Sequence, residues 1–176
     1  MAIEPRPLPW ETGGGPLRGL PATMWAVARH PQASFAAAPQ GRLIPAAVFA
    51  VICTLLPGAV MWPLGLSPAG PVPWLVLLAF MPLNALIIHV MFMTLGAAGK
   101  NLGTTLRVAC YAQAPALLTM IPFAGMAAFA VWNLVILVYG LAAVHRTTTR
   151  LSLVANLIPV IFSLALSLAG AGALFQ

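Results

Sequence analysis

The chain has 176 residues, 61% hydrophobic and only 6% charged, with eight Lys and Arg against two acids for a net charge of +6. A water-soluble domain carries roughly 25% charged residues, so this composition excludes a soluble fold and makes the bilayer the solvent. The basic residues stand singly rather than in runs, so no nucleic-acid partner is expected.

Residues 1–19 (MAIEPRPLPWETGGGPLRG) are rich in Pro and Gly and read as a flexible cytoplasmic tail. They hold both acids, Glu4 and Glu11. Residues 20–40 read as an interfacial amphipathic segment. Leu20, Met24 and Val27 recur at i, i+4, i+7, Trp25 lies alongside, and Arg29 and His30 close the stretch. That pattern suits a short helix at the membrane surface, stopped at Pro31, which cannot continue the hydrogen-bond ladder. Trp25 and Phe35 are the expected interfacial anchors.

Residues 41–176 form the membrane domain. Five apolar segments can be drawn, at 43–64, 74–98, 105–121, 124–144 and 151–174. Each approaches the ~20 residues that cross a bilayer at about 1.5 Å per residue. Pro57–Gly58 predicts a kink in the first. The third is the shortest and contains Arg107, Gln113 and Pro115; it crosses if Arg107 snorkels to the inner surface. The turns SPAGPVP (67–73) and Pro122–Gly125 are uncharged, whereas HRTTTR (145–150) joins the last two segments.

The charges orient these segments. Arg6, Arg18, Arg29 and Arg42 precede the first, Lys100 and Arg107 sit between the second and third, and Arg146 and Arg150 between the fourth and fifth. The other two connections and the C-terminal end carry none. Cytoplasmic loops collect Lys and Arg. The expected fold is therefore all-α integral membrane, with five transmembrane helices preceded by a short interfacial amphipathic helix. Its N-terminus is cytoplasmic, its C-terminus outside, and its place the cell inner (plasma) membrane.

Polar side chains inside the spans are the candidate site residues. Counting from the ends of each segment puts Asn84, Gln113 and Asn133 at nearly one depth, close to the bilayer centre. An unpaired amide there is costly, so the three are expected to bond across helices, chiefly as glue. His89 is ionisable at membrane depth but has no carboxylate near it, which favours a neutral, hydrogen-bonded ring. Ser163, Ser167 and Ala171, and Ala165, Ala169 and Ala173, form small-residue stripes suited to close packing. Cys53 and Cys110 read as buried apolar residues. No nucleophile, base and acid can be assembled, and no cofactor or metal ligand set is present, so an enzyme is not expected.

Several fragments, in order, carry a family resemblance: Pro9-Trp10-Glu11, then Thr23, Pro31 and Phe35, then Tyr111-Ala112-Gln113-Ala114-Pro115, Ile121-Pro122, Gly125, Trp132, Gly140 and His145. Together they resemble the bacterial branch of the Yip-domain family (Ypt/Rab-interacting polytopic membrane proteins) over about positions 9 to 160. The resemblance implies a polytopic membrane adaptor; eukaryotic members are associated with Rab GTPases and vesicle traffic. Those members carry a longer acidic N-terminal region that this chain lacks, and Ala36 follows Phe35 where the family has a second Phe, so Rab binding is not carried over.

The expected function is a non-enzymatic adaptor acting through protein or lipid partners, or a second copy, on the cytoplasmic face. Arg42, Lys100, Arg107, Arg146 and Arg150 are expected to ring the inner ends of the spans, where basic residues attract anionic headgroups. The competing reading is a small-solute channel, transporter or transporter subunit built on the midplane amides.

Overall fold

The computed structural model describes residues 8–12, 15–36, 42–66, 71–121 and 124–174, and the side chains within these except 15–17 and 162–174. The elements are α1 (Gly15–Arg29), α2 (Pro31–Ala36), α3 (Leu43–Met61), α4 (Val72–Thr94), α5 (Leu102–Tyr111), a 3₁₀ segment (Ala114–Met120), α6 (Gly125–His145) and α7 (Thr149–Leu174). Three of them, α3, α4 and α6, are long and apolar enough to cross a membrane, and Thr149–Ile161 of α7 is a shorter apolar stretch. Their outward faces are apolar too: Ile44 is 76% exposed, Phe80 61% and Ile161 62%. Surface of that kind fits lipid rather than water. The chain is an all-α, multi-pass membrane protein.

The long helices alternate in direction. Gly58 near the end of α3 lies under Trp74 near the start of α4, where a Cβ would meet the indole at 2.7 Å. Gly99, just past α4, packs on the backbone of His145 at the end of α6, its would-be Cβ 2.6 Å from the carbonyl oxygen. From there α7 returns beside α6, with Ser152 Oγ donating to Val138 O at 2.8 Å. Arg146 makes the turn in a left-handed conformation (φ 53°, ψ 42°), and the Thr147 N–H closes on Ala142 O at 3.0 Å.

Between α4 and α6 the sequence predicts one continuous helix over 105–121, and the structure corrects this. The α-helix ends at Tyr111, and a 3₁₀ segment follows. Pro115 explains the break, because it lacks an N–H and its ring clashes with the carbonyl four residues back. The chain tightens instead, and the Ala116 N–H donates to Gln113 O at 2.9 Å. That register deprives the Ala112 carbonyl of its helical donor. Asn133 Nδ2, reaching from α6, donates to it at 2.7 Å.

The broken segment still runs the length of the bundle. It begins beside the end of α6, where Thr105 Oγ1 lies 3.0 Å from His145 Nε2. It finishes beside the starts of α4 and α6, where Trp74 Nε1 donates to Thr119 Oγ1 at 3.5 Å and Gly125 abuts the Leu118 carbonyl. At the usual rises, α5 covers about 15 Å and the 3₁₀ segment about 14 Å, close in sum to a ~30 Å hydrocarbon core.

The N-terminal elements are part of this bundle, not an appendage to it. The sequence predicts a flexible tail over 1–19, yet Leu8 is 1% exposed and α1 already starts at Gly15; residues 1–7 lie outside the described residues. The polar-to-apolar swing of α1 is used against the 3₁₀ segment, with Thr23 and Val27 buried. The chain reverses at Pro31, and α2 packs on α6. Phe35, expected as an anchor among headgroups, is a core residue at 1% exposure. It sits against Gly140, where a Cβ would meet its ring at 2.7 Å, and its ring centroid is 6.3 Å from that of Tyr111. An aromatic in a glycine-floored slot gains more from burial than from the interface. Tyr111 in turn meets Phe49 of α3 at 4.9 Å, so the aromatic cluster ties α2, α3 and α5 together.

Candidate functional site

The most constrained chemistry lies where the tail meets α5. Arg107 projects from the middle of α5 and is 4% exposed. A guanidinium cannot lose its charge to escape burial, so it requires an anion. Glu11 supplies it from 96 residues away in sequence. Arg107 Nε donates to Glu11 Oε1 at 3.2 Å, Arg107 Nη2 donates to Oε2, and Tyr111 OH donates to Oε1 at 2.7 Å. The fork matches the carboxylate geometry, and the phenol uses a remaining lone pair. Neighbouring contacts fix the tail segment in register. The Trp10 backbone N–H donates to Thr23 Oγ1 and its indole N–H to Pro45 O, each at 2.8 Å, while its ring meets Phe49 edge-on at 6.0 Å. Pro9-Trp10-Glu11 is therefore a latch that joins the tail to α1, α3 and α5.

A second polar group sits near the same end of the bundle. His89 Nδ1 and His145 Nε2 each lie 3.0 Å from Thr105 Oγ1. A hydroxyl has one proton, so it donates to one ring and accepts from the other. Phe92 stacks on His145 at 4.7 Å. His145 Nδ1 is buried and has no partner among the described residues.

The remaining expected residues are not brought into one site. No hydrogen bond among the described residues joins Asn84, Gln113 and Asn133; Asn133 serves the Ala112 carbonyl. The reason is the break at Pro115, which turns a backbone acceptor toward Asn133 where the sequence expects a side chain. Of the expected basic ring, Arg42, Arg146 and Arg150 are exposed and Lys100 is half-buried, at the ends of α3, α4, α6 and α7. Arg107 leaves that ring for the ion pair. Trp25 is 66% exposed and carries the Arg29 guanidinium 5.5 Å over its ring. The side-chain stripes of Ser163 to Ala173 lie outside the described residues.

Sequence reasoning missed Glu11, Tyr111, Trp10, Thr105 and His145 as site residues. A signal for the first was present: an arginine inside an apolar segment must find one of the two acids in the chain. Cys53 and Cys110 are free and buried. Among the described residues no group of three His, Cys, Asp or Glu is placed to hold a metal ion.

The family model of the Yip1 domain matches residues 25–171. Comparison with curated proteins and with solved structures gives no match.

Proposed function

The chain belongs to the Yip1-domain family of multi-pass membrane proteins, and from this we propose that it is a non-enzymatic adaptor working through its cytoplasmic face. In this reading it is a bacterial member with five crossings of the inner (plasma) membrane, N-terminus inside and C-terminus outside. The broken α5–3₁₀ segment is the third crossing and α7 the fifth. Its partners are proteins or anionic lipids that meet the basic residues Arg42, Lys100, Arg146 and Arg150.

The observation that carries the reading is the latch. The tail segment is a built surface, with Glu11 closed on Arg107 and Tyr111 and Trp10 on Pro45. The chain spends its one described acid on organising that end of the bundle, beside the basic ring. A channel or carrier would need polar side chains at successive depths along one face. No hydrogen bond among the described residues joins the three amides expected at the midplane, and Asn133 donates to a backbone carbonyl, which favours the adaptor over the transport reading.

A photo-crosslinking amino acid at Lys100 or Arg150, compared with one at Gly65 or Ala124, tests this in native membranes. Adducts with protein or lipid headgroups are expected at the first pair and not at the second. Adducts confined to Gly65 and Ala124 would overturn the cytoplasmic-face reading.

A further inference from the structure

The α1–α2 hairpin carries charge to a level where an apolar helix has none. Trp132 Nε1 donates to Ala28 O at 3.2 Å, which fixes the hairpin tip against α6. There Arg29, His30 and Gln32 face Trp132, Val135 and Tyr139 across a cavity of about 380 Å³. Trp132 is seven residues in from Gly125 and Tyr139 six residues in from His145. At about 1.5 Å per residue these are roughly 10 Å and 9 Å from the two ends of α6. The tip therefore lies at the middle third of a helix long and apolar enough to cross a membrane.

Arg29 and His30 are exposed at that level. The face of the Trp25 ring takes part of the guanidinium field but offers no oxygen. The one described acid, Glu11, is held by Arg107 and Tyr111. A cation at such depth is satisfied by a counter-ion, by water, or by the headgroup of a lipid drawn toward it. In a bilayer the abundant oxyanion is the phosphodiester of the phospholipids themselves.

We propose that the hairpin tip and the middle of α6 form a phospholipid site. Arg29 and His30 hold the phosphodiester, Arg29 through its planar fork of donors. Trp132, Val135 and Tyr139 form the wall along which the glycerol backbone and the first acyl carbons lie, with the amphipathic Trp and Tyr rings at the polar–apolar seam. The inference rests on the reading of α6 as a bilayer span. A failure of that reading would show separately, as release of the wild-type chain from membranes by alkaline carbonate.

Native mass spectrometry of the full chain, extracted in mild detergent and titrated with dioleoyl phosphatidylglycerol, tests the site. One tightly held lipid is expected on the wild type. Arg29→Gln should weaken its retention about tenfold, the size of one hydrogen bond to a charged group, and Arg29→Lys should restore most of it. Val135→Trp fills the cavity, leaves Arg29 and His30 in place and should weaken retention comparably, which keeps the test alive if Arg29→Gln fails to fold. Inorganic phosphate at millimolar level should not displace the lipid, because it has no chain to lie along α6. Equal retention by wild type, Arg29→Gln and Val135→Trp would overturn the proposal. So would full displacement by free phosphate, which would assign the cavity to a soluble oxyanion. A lipid-free dimer broken by Val135→Trp would assign it to a second copy and would overturn the proposal as well.

Discussion

Replacing Glu11 with Gln should undo the latch while keeping the side chain's size. The carboxylate accepts from Arg107 Nε at 3.2 Å, from Arg107 Nη2 and from Tyr111 OH at 2.7 Å. A carboxamide has one acceptor oxygen for these donors, and its own N–H groups would point at a guanidinium. The Arg107 side chain is 5% exposed and that of Glu11 17%, so the arginine would keep its burial and lose the Glu11 carboxylate. Removing one partner of a buried pair costs roughly 3–5 kcal/mol. Partial wetting of Glu11 puts this case near the lower end, at about 3 kcal/mol. A chain of this size melts about 2–4 °C lower per kcal/mol, so a drop on the order of 10 °C is expected in detergent. Trypsin should also cut faster after Arg18, because the segment that pins α1 is released. Arg107→Gln alone should lose as much, and the double variant should recover part of the loss, since no lone charge then stays buried. A melting shift below about 2 °C with unchanged cleavage would refute the idea that the ion pair holds the tail.

Gly140→Val should destabilise by about 1–3 kcal/mol or more through overpacking, because the new Cβ would stand 2.7 Å from the Phe35 ring and 2.9 Å from Val108; adding Phe35→Leu should restore part of the melting temperature. Thr105→Val preserves shape but strips the hydroxyl from between His89 and His145, at a cost of about 2 kcal/mol for buried polar groups left unpaired, whereas Thr105→Ser should melt close to wild type. Asn133→Leu should cost about 1–2 kcal/mol by orphaning the Ala112 carbonyl. Gln113→Leu should cost little, and the double variant should be additive within about 0.5 kcal/mol; a large coupling would argue for direct pairing of the two amides.

The long apolar helices and their alternation are legible in the sequence because both depend on local composition. Runs of some 20 apolar residues and the distribution of eight cations need no knowledge of distant contacts. Pro115 is visible as a breaker too, but its consequence is not. The break moves an unpaired acceptor to Ala112, and only the position of α6 shows that Asn133 meets it. The tail is the hardest part. Pro and Gly around residues 5–16 read locally as unstructured, and nothing local to Trp10 or Glu11 says that Pro45, Thr23, Arg107 and Tyr111 will be waiting. Phe35 misleads for the same reason: an aromatic beside Ala-rich sequence looks interfacial until Gly140 is placed under it. Thr105 and His145 each look ordinary alone, and they become a site only when α5 starts beside the end of α6.

Whether residues 102–120 cross the bilayer decides the topology, and with it which face carries the latch and the basic ring. Single cysteines at Asn101 and Ala124, in a chain whose buried Cys53 and Cys110 are replaced, can be probed in intact cells with a membrane-impermeant maleimide. The Ala124→Cys variant is expected to label from outside, and the Asn101→Cys variant only after the membrane is opened. Labelling of both from the same side would contradict the third crossing and the five-pass arrangement built on it.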